Sequence, residues 1–256
     1  MMNIKKVFIP FLTVLILTAC SSQVPDASTS SPGPEYGTAL DLPIKTAINE
    51  IPLINDAGES LNLNDFKGKT LVITPIFTAC DDICPLSAAS FGAAQEAIID
   101  KDLTSDISLL LVSIDPKRDT PERLKAFREK IGLNENVSLL TGTEQDMNKF
   151  WDGFGIAREI TDSENHDGHL DWFTGEPMTY EIVHSDGLFF ISKDQKLKFL
   201  RLGTPDVSEI VINEGTKDLL NPEVVDKLAT PVASGWSAAD LVRILSWLEK
   251  KSITLL

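Results

Sequence analysis

The chain has few cysteines and few basic residues. Its three cysteines among 256 residues are too few for a scaffold held together by disulfides. The 23 lysines and arginines are outnumbered by 38 aspartates and glutamates, and so acidic a surface repels nucleic acid and favours basic protein partners or cations. With 43% apolar residues, the chain can bury one sizeable core. The fold therefore need not depend on disulfides, and nucleic-acid binding is not expected.

The apolar run at the N terminus is too short to span a membrane, which takes about 20 apolar residues. Two lysines precede an apolar stretch of 11 residues, Val7–Leu17, which ends in "LTAC" at Cys20. This pattern indicates an export signal, and "LTAC" resembles a bacterial lipobox, in which Cys20 becomes the lipidated N terminus. An ordinary secretory signal with an incidental Cys20 is the alternative. We expect a lipoprotein signal peptide at 1–19, leaving a mature chain with a net charge near −17, lipid-anchored in the bacterial cell envelope outside the cytoplasm.

The mature chain divides into a tether and one domain. Residues 20–41 are rich in Ser, Pro and Gly, with little to bury, and are predicted to be a disordered tether. The domain is predicted to span residues 42–256. It opens with apolar and polar residues alternating around Gly58, which favours a β-hairpin, and continues into the apolar run Thr70–Phe77, which favours a buried strand.

Strands and helices then alternate, which predicts parallel crossovers and an α/β domain. A helix is predicted from Pro121, because Thr120 can cap it and Gly132 can end it. The remaining predicted elements are helices at 86–100, 144–154 and 237–250, and strands at 107–115, 137–141, 181–183, 188–192 and 197–202. The stretches 158–178 and 204–235 fit this plan poorly and are interpreted as two polar insertions. We find no internal repeat.

Cys80 and Cys84 lie four positions apart in "ACDDICPLS". On a helical turn, side chains at this spacing have Cβ atoms about 5 to 6 Å apart, whereas a disulfide prefers about 3.5 to 4.5 Å. Pro85 suits a first helical position, which would place Cys84 at a helix cap where the dipole and free N–H groups lower a thiol pKa. A structural disulfide bond, a redox couple and a metal-binding pair all remain open.

A metal site would need a further ligand. Paired thiolates select Cu(I), Zn(II) or iron–sulfur clusters, and two cysteines are too few for a cluster. A closed zinc site would lack an evident fourth ligand. His184 ends an apolar strand before the Asp186-Gly187 turn, where a rigid sheet could hold an imidazole within reach of an ion, although a plain surface histidine fits the pattern too. His166 and His169 lie in the first insertion, as solvated loop residues or as an accessory metal site.

Four segments together carry a family resemblance. "ACDDICPLS", "LLVSIDPKRDTPERLKAF", "LLTGTEQDMNKFWDGFGI" and "VHSDGLFFISKDQKLKF" follow one another in an order and at separations similar to those of the Sco/SenC family of exported copper proteins. The resemblance covers roughly residues 50 to 202 and the last helix. It implies a thioredoxin-like fold with an N-terminal β-hairpin, here with two insertions, and copper bound by Cys80, Cys84 and His184. Two thiolates with an imidazole can hold both Cu(I) and Cu(II).

The resemblance also implies a function. We expect a membrane-tethered copper chaperone, rather than a catalyst, that delivers copper to or prepares the dinuclear copper site of cytochrome c oxidase. Its partner would be the oxidase subunit carrying that site, or another copper chaperone. The alternatives are a thiol–disulfide oxidoreductase in which Cys80 and Cys84 are the redox-active pair, and a copper sensor. Asp115 and Asp119 are expected at the same end of the sheet, where they orient the site, guide a cation or cap the next loop.

Overall fold

The computed structural model describes residues 31–162 and 170–256. The predicted signal peptide at 1–19, its Cys20, and His166 and His169 lie outside the described residues. The strands are β1 (Thr38–Pro43), β2 (Leu53–Asn55), β3 (Ser60–Leu61), β4 (Thr70–Ile76), β5 (Ile107–Ser113), β6 (Val137–Thr141), β7 (Arg158–Asp162), β8 (Tyr180–His184), β9 (Gly187–Ile191), β10 (Lys196–Leu202), β11 (Pro205–Asp206) and β12 (Trp236–Ser237). The helices are α1 (Thr46–Asn49), α2 (Ile83–Asp100), α3 (Pro121–Ile131), α4 (Glu144–Phe154), α5 (Glu214–Lys217), α6 (Pro222–Val225) and α7 (Ala238–Glu249).

Within the described residues, eight strands form a central mixed sheet in the order β1-β10-β9-β4-β5-β6-β2-β3. β4, β5 and β6 are parallel neighbours joined by α2 and α3, as the alternating pattern predicts. Every residue of β4 and β5 is buried, because a parallel sheet with helices on its faces exposes neither side to water. The predicted α/β class is confirmed, and so is the N-terminal hairpin, in which β2 and β3 pair antiparallel.

The helix boundaries follow the predicted capping residues. The Thr120 side chain accepts a hydrogen bond from the Arg123 N–H, Pro121 opens α3, and Gly132 ends it in the left-handed conformation. Ser237 and Asp240 form a reciprocal capping box before α7. These features are local, since a cap depends on residues within one helical turn, and the sequence therefore predicts them well.

Two boundaries differ from the sequence prediction. The sheet begins at Thr38, inside the predicted tether, because β1 pairs antiparallel with β10. β1 is an edge strand with mostly exposed side chains. It is held by backbone hydrogen bonds, so its sequence shows no alternation of apolar and polar residues that would predict a strand. α2 begins at Ile83, so Pro85 is its third residue and not its first. Proline is tolerated there because the first four N–H groups of a helix have no intrahelical partner.

Both insertions have structure of their own. β7 and β8 pair in register, with Ile160 opposite Ile182, as a two-stranded ribbon separate from the central sheet. The second insertion contains α5 and α6 and packs on the Leu86 side of α2, in a small apolar cluster with Val207, Ile212 and Leu220. No helix in the described part of the chain is long and apolar enough to cross a membrane.

Candidate metal centre

The two cysteines meet at the carboxyl end of β4. Cys80 lies in the loop after this strand, and Cys84 is the second residue of α2. Both are free thiols, with exposed fractions of 8% and 1%. The Phe77 N–H lies 3.4 Å from the Cys84 sulfur, and the Cys80 N–H donates to the Phe77 carbonyl at 3.2 Å. A tight turn that starts at Phe77 thus brings the two thiols together in a water-poor environment.

Burial decides the protonation of the inner thiol. The pKa of Cys84 is raised well above its usual range, first by burial and then by its hydrogen bond with Cys80, whereas the Phe77 N–H acts in the opposite direction. The prediction that a helix cap lowers this pKa is therefore wrong, because desolvation of a fully buried sulfur outweighs the helix dipole. A metal ion would have to displace a proton in order to bind this sulfur.

His184 lies next to the cysteine turn at the end of β8. Its ring meets the Phe77 ring edge-on, with the centroids 5.9 Å apart. Nδ1 lies 3.0 Å from the Ser185 carbonyl oxygen, which can only accept, so Nδ1 carries the hydrogen and Nε2 keeps its lone pair. Burial lowers the pKa of His184, against a smaller opposite effect of the Ser185 carbonyl. The imidazole is thus held in the neutral form that ligates metals.

The three predicted ligands do not form a closed set in this structure. Within residues 31–162 and 170–256, no three His, Cys, Asp or Glu side chains form a group that could hold a metal ion. The structure brings Cys80 and Cys84 together, and it places His184 beside them across the Phe77 ring. The groups available to a metal are therefore two soft sulfurs in contact with each other and a neutral imidazole packed on the Phe77 ring that adjoins them.

Asp186 is a further polar group of this site that the sequence indicated only as part of a turn. Its Oδ1 accepts hydrogen bonds from the Gly187 N–H at 2.7 Å and the Thr74 hydroxyl at 3.4 Å, while its buried Oδ2 has no partner. Burial raises the pKa of Asp186 to about 7, and its charge disfavours ionisation of Cys84. The position after the His184 strand was visible in the sequence, but its burial depends on β4, far away along the chain.

Asp115 and Asp119 do lie at the cysteine end of the sheet, as predicted, and they hold neighbouring elements in place. Asp119 accepts hydrogen bonds from the Thr78 N–H and hydroxyl at 3.0 and 2.6 Å. Its pKa is raised to about 6, first by burial and then by the charge of Asp115. Asp115 accepts from the Tyr180 hydroxyl at 2.7 Å and pairs with Arg118. Asp119 thus fixes the cysteine turn, and Asp115 fixes the start of β8, the strand that ends at His184.

A mixed sheet with a buried thiol pair in the turn after a central strand defines a thioredoxin-like protein. Comparison with protein families identifies this chain more closely, because the SCO1/SenC family model matches residues 45–217. The chain belongs to the SCO1/SenC family. The match includes both cysteines, His184 and the first insertion, and it ends within the second.

Three proteins similar to this chain illustrate the range of the similarity. The SCO2-like protein of Rickettsia prowazekii is 29% identical over 165 residues, covering 63% of this chain and 74% of that protein. A solved SCO1/SenC family lipoprotein from Bacillus anthracis is 25% identical, with a TM-score of 0.48, covering 68% of this chain and 90% of that one. The structure of Bradyrhizobium japonicum ScoI with copper bound is 20% identical, with a TM-score of 0.49, covering 66% and 94%.

Proposed function

We propose that this protein binds copper through Cys80, Cys84 and His184 and takes part in the assembly of cytochrome c oxidase. The observation that carries the proposal is the contact between the two buried thiols, with the neutral His184 imidazole packed on the same Phe77. Two family members have been solved with copper bound, from B. japonicum and from yeast. A third is described as belonging to a family of cytochrome c oxidase assembly proteins.

The chemistry of these groups suits copper as a cargo that is taken up and passed on. Two thiolates are soft ligands for Cu(I), and an added imidazole extends the set to Cu(II). Because the pKa of Cys84 is raised by burial, copper binding must release a proton from this thiol, and affinity will rise with pH. The buried Oδ2 of Asp186, which has no partner among the described residues, adds negative charge near an incoming cation when this carboxyl is ionised.

The third ligand lies on a different element from the other two. Within the described residues, β8 pairs with β7 and not with the central sheet, so a movement of His184 relative to the sulfurs would leave intact the sheet that positions them. A ligand set that opens in this way favours transfer of copper over permanent storage. The partner we propose is the oxidase subunit that carries the dinuclear copper site, or another copper chaperone.

Delivery to such a partner requires a location outside the cytoplasm. We propose that the chain is exported, cleaved before Cys20 and anchored by a lipid on that cysteine, because the N-terminal pattern fits a lipoprotein signal. The B. anthracis family member is described as a lipoprotein. Metabolic labelling with a radioactive fatty acid tests this directly, since a Cys20→Ser variant should lose the label.

One observation favours a second function, that of a thiol–disulfide oxidoreductase. Cys80 and Cys84 touch as free thiols, and in the described residues no third ligand completes a metal site. In such a protein, Cys80 would attack a partner disulfide because it is the more exposed thiol, and Cys84 would then resolve the mixed disulfide. The protein would end as the disulfide and the partner as the dithiol.

Adding copper to the reduced protein separates the two functions. The full-length chain, purified in detergent and reduced without oxygen, receives one equivalent of Cu(II), and its thiolate-to-copper absorption is followed with time. We expect a stable band that is lost in Cys80→Ser and weakened in His184→Ala. Rapid bleaching, with Cu(I) released and a Cys80–Cys84 disulfide recovered in up to half of the chains, since each disulfide formed reduces two Cu(II) ions and releases two protons, would instead support the oxidoreductase.

A further inference from the structure

The described part of the first insertion forms a compact turn beside the cysteine loop. Asp171 organises it, because its Oδ1 accepts the N–H groups of Phe173 and Thr174 at 2.9 and 3.1 Å. The Asp171 backbone closes the turn with hydrogen bonds to Glu176 and Gly175, both 2.8 Å. Trp172 lies within this turn, and the hydrogen bonds on either side of it restrain its backbone.

Trp172 contacts the cysteine loop directly. Its indole Nε1 donates a hydrogen bond of 2.6 Å to the Thr78 carbonyl oxygen, two residues before Cys80. Asp171 adds a second link, since its carboxylate accepts from Arg123 Nη1 at 2.6 Å, and the nearly inaccessible Arg123 in turn donates from Nε to the Thr78 hydroxyl at 2.5 Å. The N–H and the hydroxyl of Thr78 both donate hydrogen bonds to Asp119. Every polar atom of Thr78 therefore takes part in a hydrogen bond.

The second insertion holds the other side of Cys80. The Asn221 N–H donates to the Asp81 carbonyl oxygen at 2.8 Å, and its side-chain Nδ2 donates to the same oxygen at 3.2 Å. The two bonded carbonyls, at Thr78 and Asp81, enclose the peptide units of Ala79 and Cys80. The segment that carries Cys80 is thus fixed at one end by the first insertion and at the other end by the second.

We propose that Trp172 is a positioning residue for Cys80, through its hydrogen bond to the Thr78 carbonyl. This inference rests on the proposed function, because it concerns how the chain presents one of the two sulfurs. Rotation of the Thr78 peptide would move the Cys80 sulfur relative to Cys84, and the indole bond opposes that rotation. Trp172 therefore sets both the access to Cys80 and the geometry in which the two sulfurs meet copper.

The test replaces Trp172 with Phe, which keeps an aromatic ring and removes the donor. Trp236→Phe is the matched control, because the buried Trp236 donates from Nε1 to the Gly203 carbonyl at 2.8 Å and not to the cysteine loop. Reduced, copper-free, full-length chain in detergent is treated with iodoacetamide, and modification of Cys80 is followed by mass spectrometry of its peptide. The same variants then receive Cu(II) for the absorption measurement.

Loss of one buried hydrogen bond shifts an opening equilibrium by roughly two- to tenfold. We expect Trp172→Phe to raise the alkylation rate of Cys80 by that factor and to shift or broaden the thiolate-to-copper band, whereas Trp236→Phe changes neither at equal loss of thermal stability. Equal effects in both variants, or an unchanged rate in Trp172→Phe, would overturn the proposal. If wild type gives no copper band, the proposed function fails, but the copper-free alkylation rates still decide this inference.

A second variant covers the case in which Trp172→Phe does not fold. Asp171→Asn keeps the shape and the Oδ1 acceptor of the turn and weakens the pair with Arg123. We expect the Cys80 alkylation rate to rise, because the Arg123 side chain that donates to the Thr78 hydroxyl loses its charged partner. An Asp171→Asn rate equal to wild type would contradict the role of this insertion in holding the cysteine loop.

Discussion

The cysteine loop and the ribbon that carries His184 lie side by side but are held very differently. Around the loop, Thr78, Asp119 and Arg123 are almost fully buried and bonded to one another. On the ribbon, Ile160 and Val183 expose 57% and 64% of their surface, and the two strands pair only with each other. Two of the proposed ligands are thus fixed by a buried network, whereas the third lies at the end of a ribbon that is anchored where β8 begins and has exposed side chains along its length.

This difference suits a protein that exchanges its cargo. A buried network resists rearrangement because each broken bond leaves a desolvated polar group, whereas the exposed part of the ribbon has fewer buried contacts to lose. The pair of sulfurs would keep its geometry while the imidazole completes or opens the set. Three substitutions test the contrast, from a buried charge to an exposed side chain.

The largest effect is expected from Arg123→Met. Removing this guanidinium takes away the charged partner of the buried Asp171 carboxylate and the donor to the Thr78 hydroxyl, and breaking a buried ion pair from one side costs about 3 to 5 kcal/mol. The measurement is the free energy of unfolding in urea. Lys117→Met is the matched control, because the Lys117–Glu144 pair is exposed and such pairs contribute about 1 kcal/mol or less. Equal losses in the two variants would show that the network does not stabilise the loop.

The second effect depends on pH. The pKa of Asp119 is raised to about 6 in the folded protein by burial, above the value of about 3.9 expected when unfolded. The folded state therefore binds the proton more tightly, and the contribution of Asp119 to stability is present below pH 4 and lost as pH rises towards 6. At 1.36 kcal/mol per pKa unit, this loss is about 2 to 3 kcal/mol.

Asp119→Asn isolates this contribution, because the amide keeps the size of the side chain and does not titrate. We expect the stability of wild type to fall relative to the variant between pH 4 and 6, measured by urea unfolding at each pH. Parallel curves across this range would mean that Asp119 keeps an ordinary pKa and that its hydrogen bonds from Thr78 and Ser113 offset its burial.

The two regions also differ in how far the sequence predicted them. The ends of α3 and α7 were predictable because capping residues act within one turn. The Trp172–Thr78 hydrogen bond joins residues 94 positions apart, and no local sequence pattern predicts it. The raised pKa of Cys84 was missed for a related reason, since the helix position is local but burial is a property of the whole fold. His184 was placed correctly at a strand end, whereas its strand partner β7 was taken for an irregular insertion.

The smallest effect is expected on the ribbon. Val183→Thr replaces one methyl of an exposed side chain with a hydroxyl that water can solvate, and exposed substitutions of this kind change the free energy of unfolding by about 0.5 kcal/mol or less. The matched change is Val72→Thr in β4, which is completely buried, where an unpaired hydroxyl costs about 1 to 3 kcal/mol. Urea unfolding of both variants measures the difference. A loss in Val183→Thr as large as in Val72→Thr would mean that the ribbon is packed like the sheet, and His184 would then be as firmly fixed as the sulfurs.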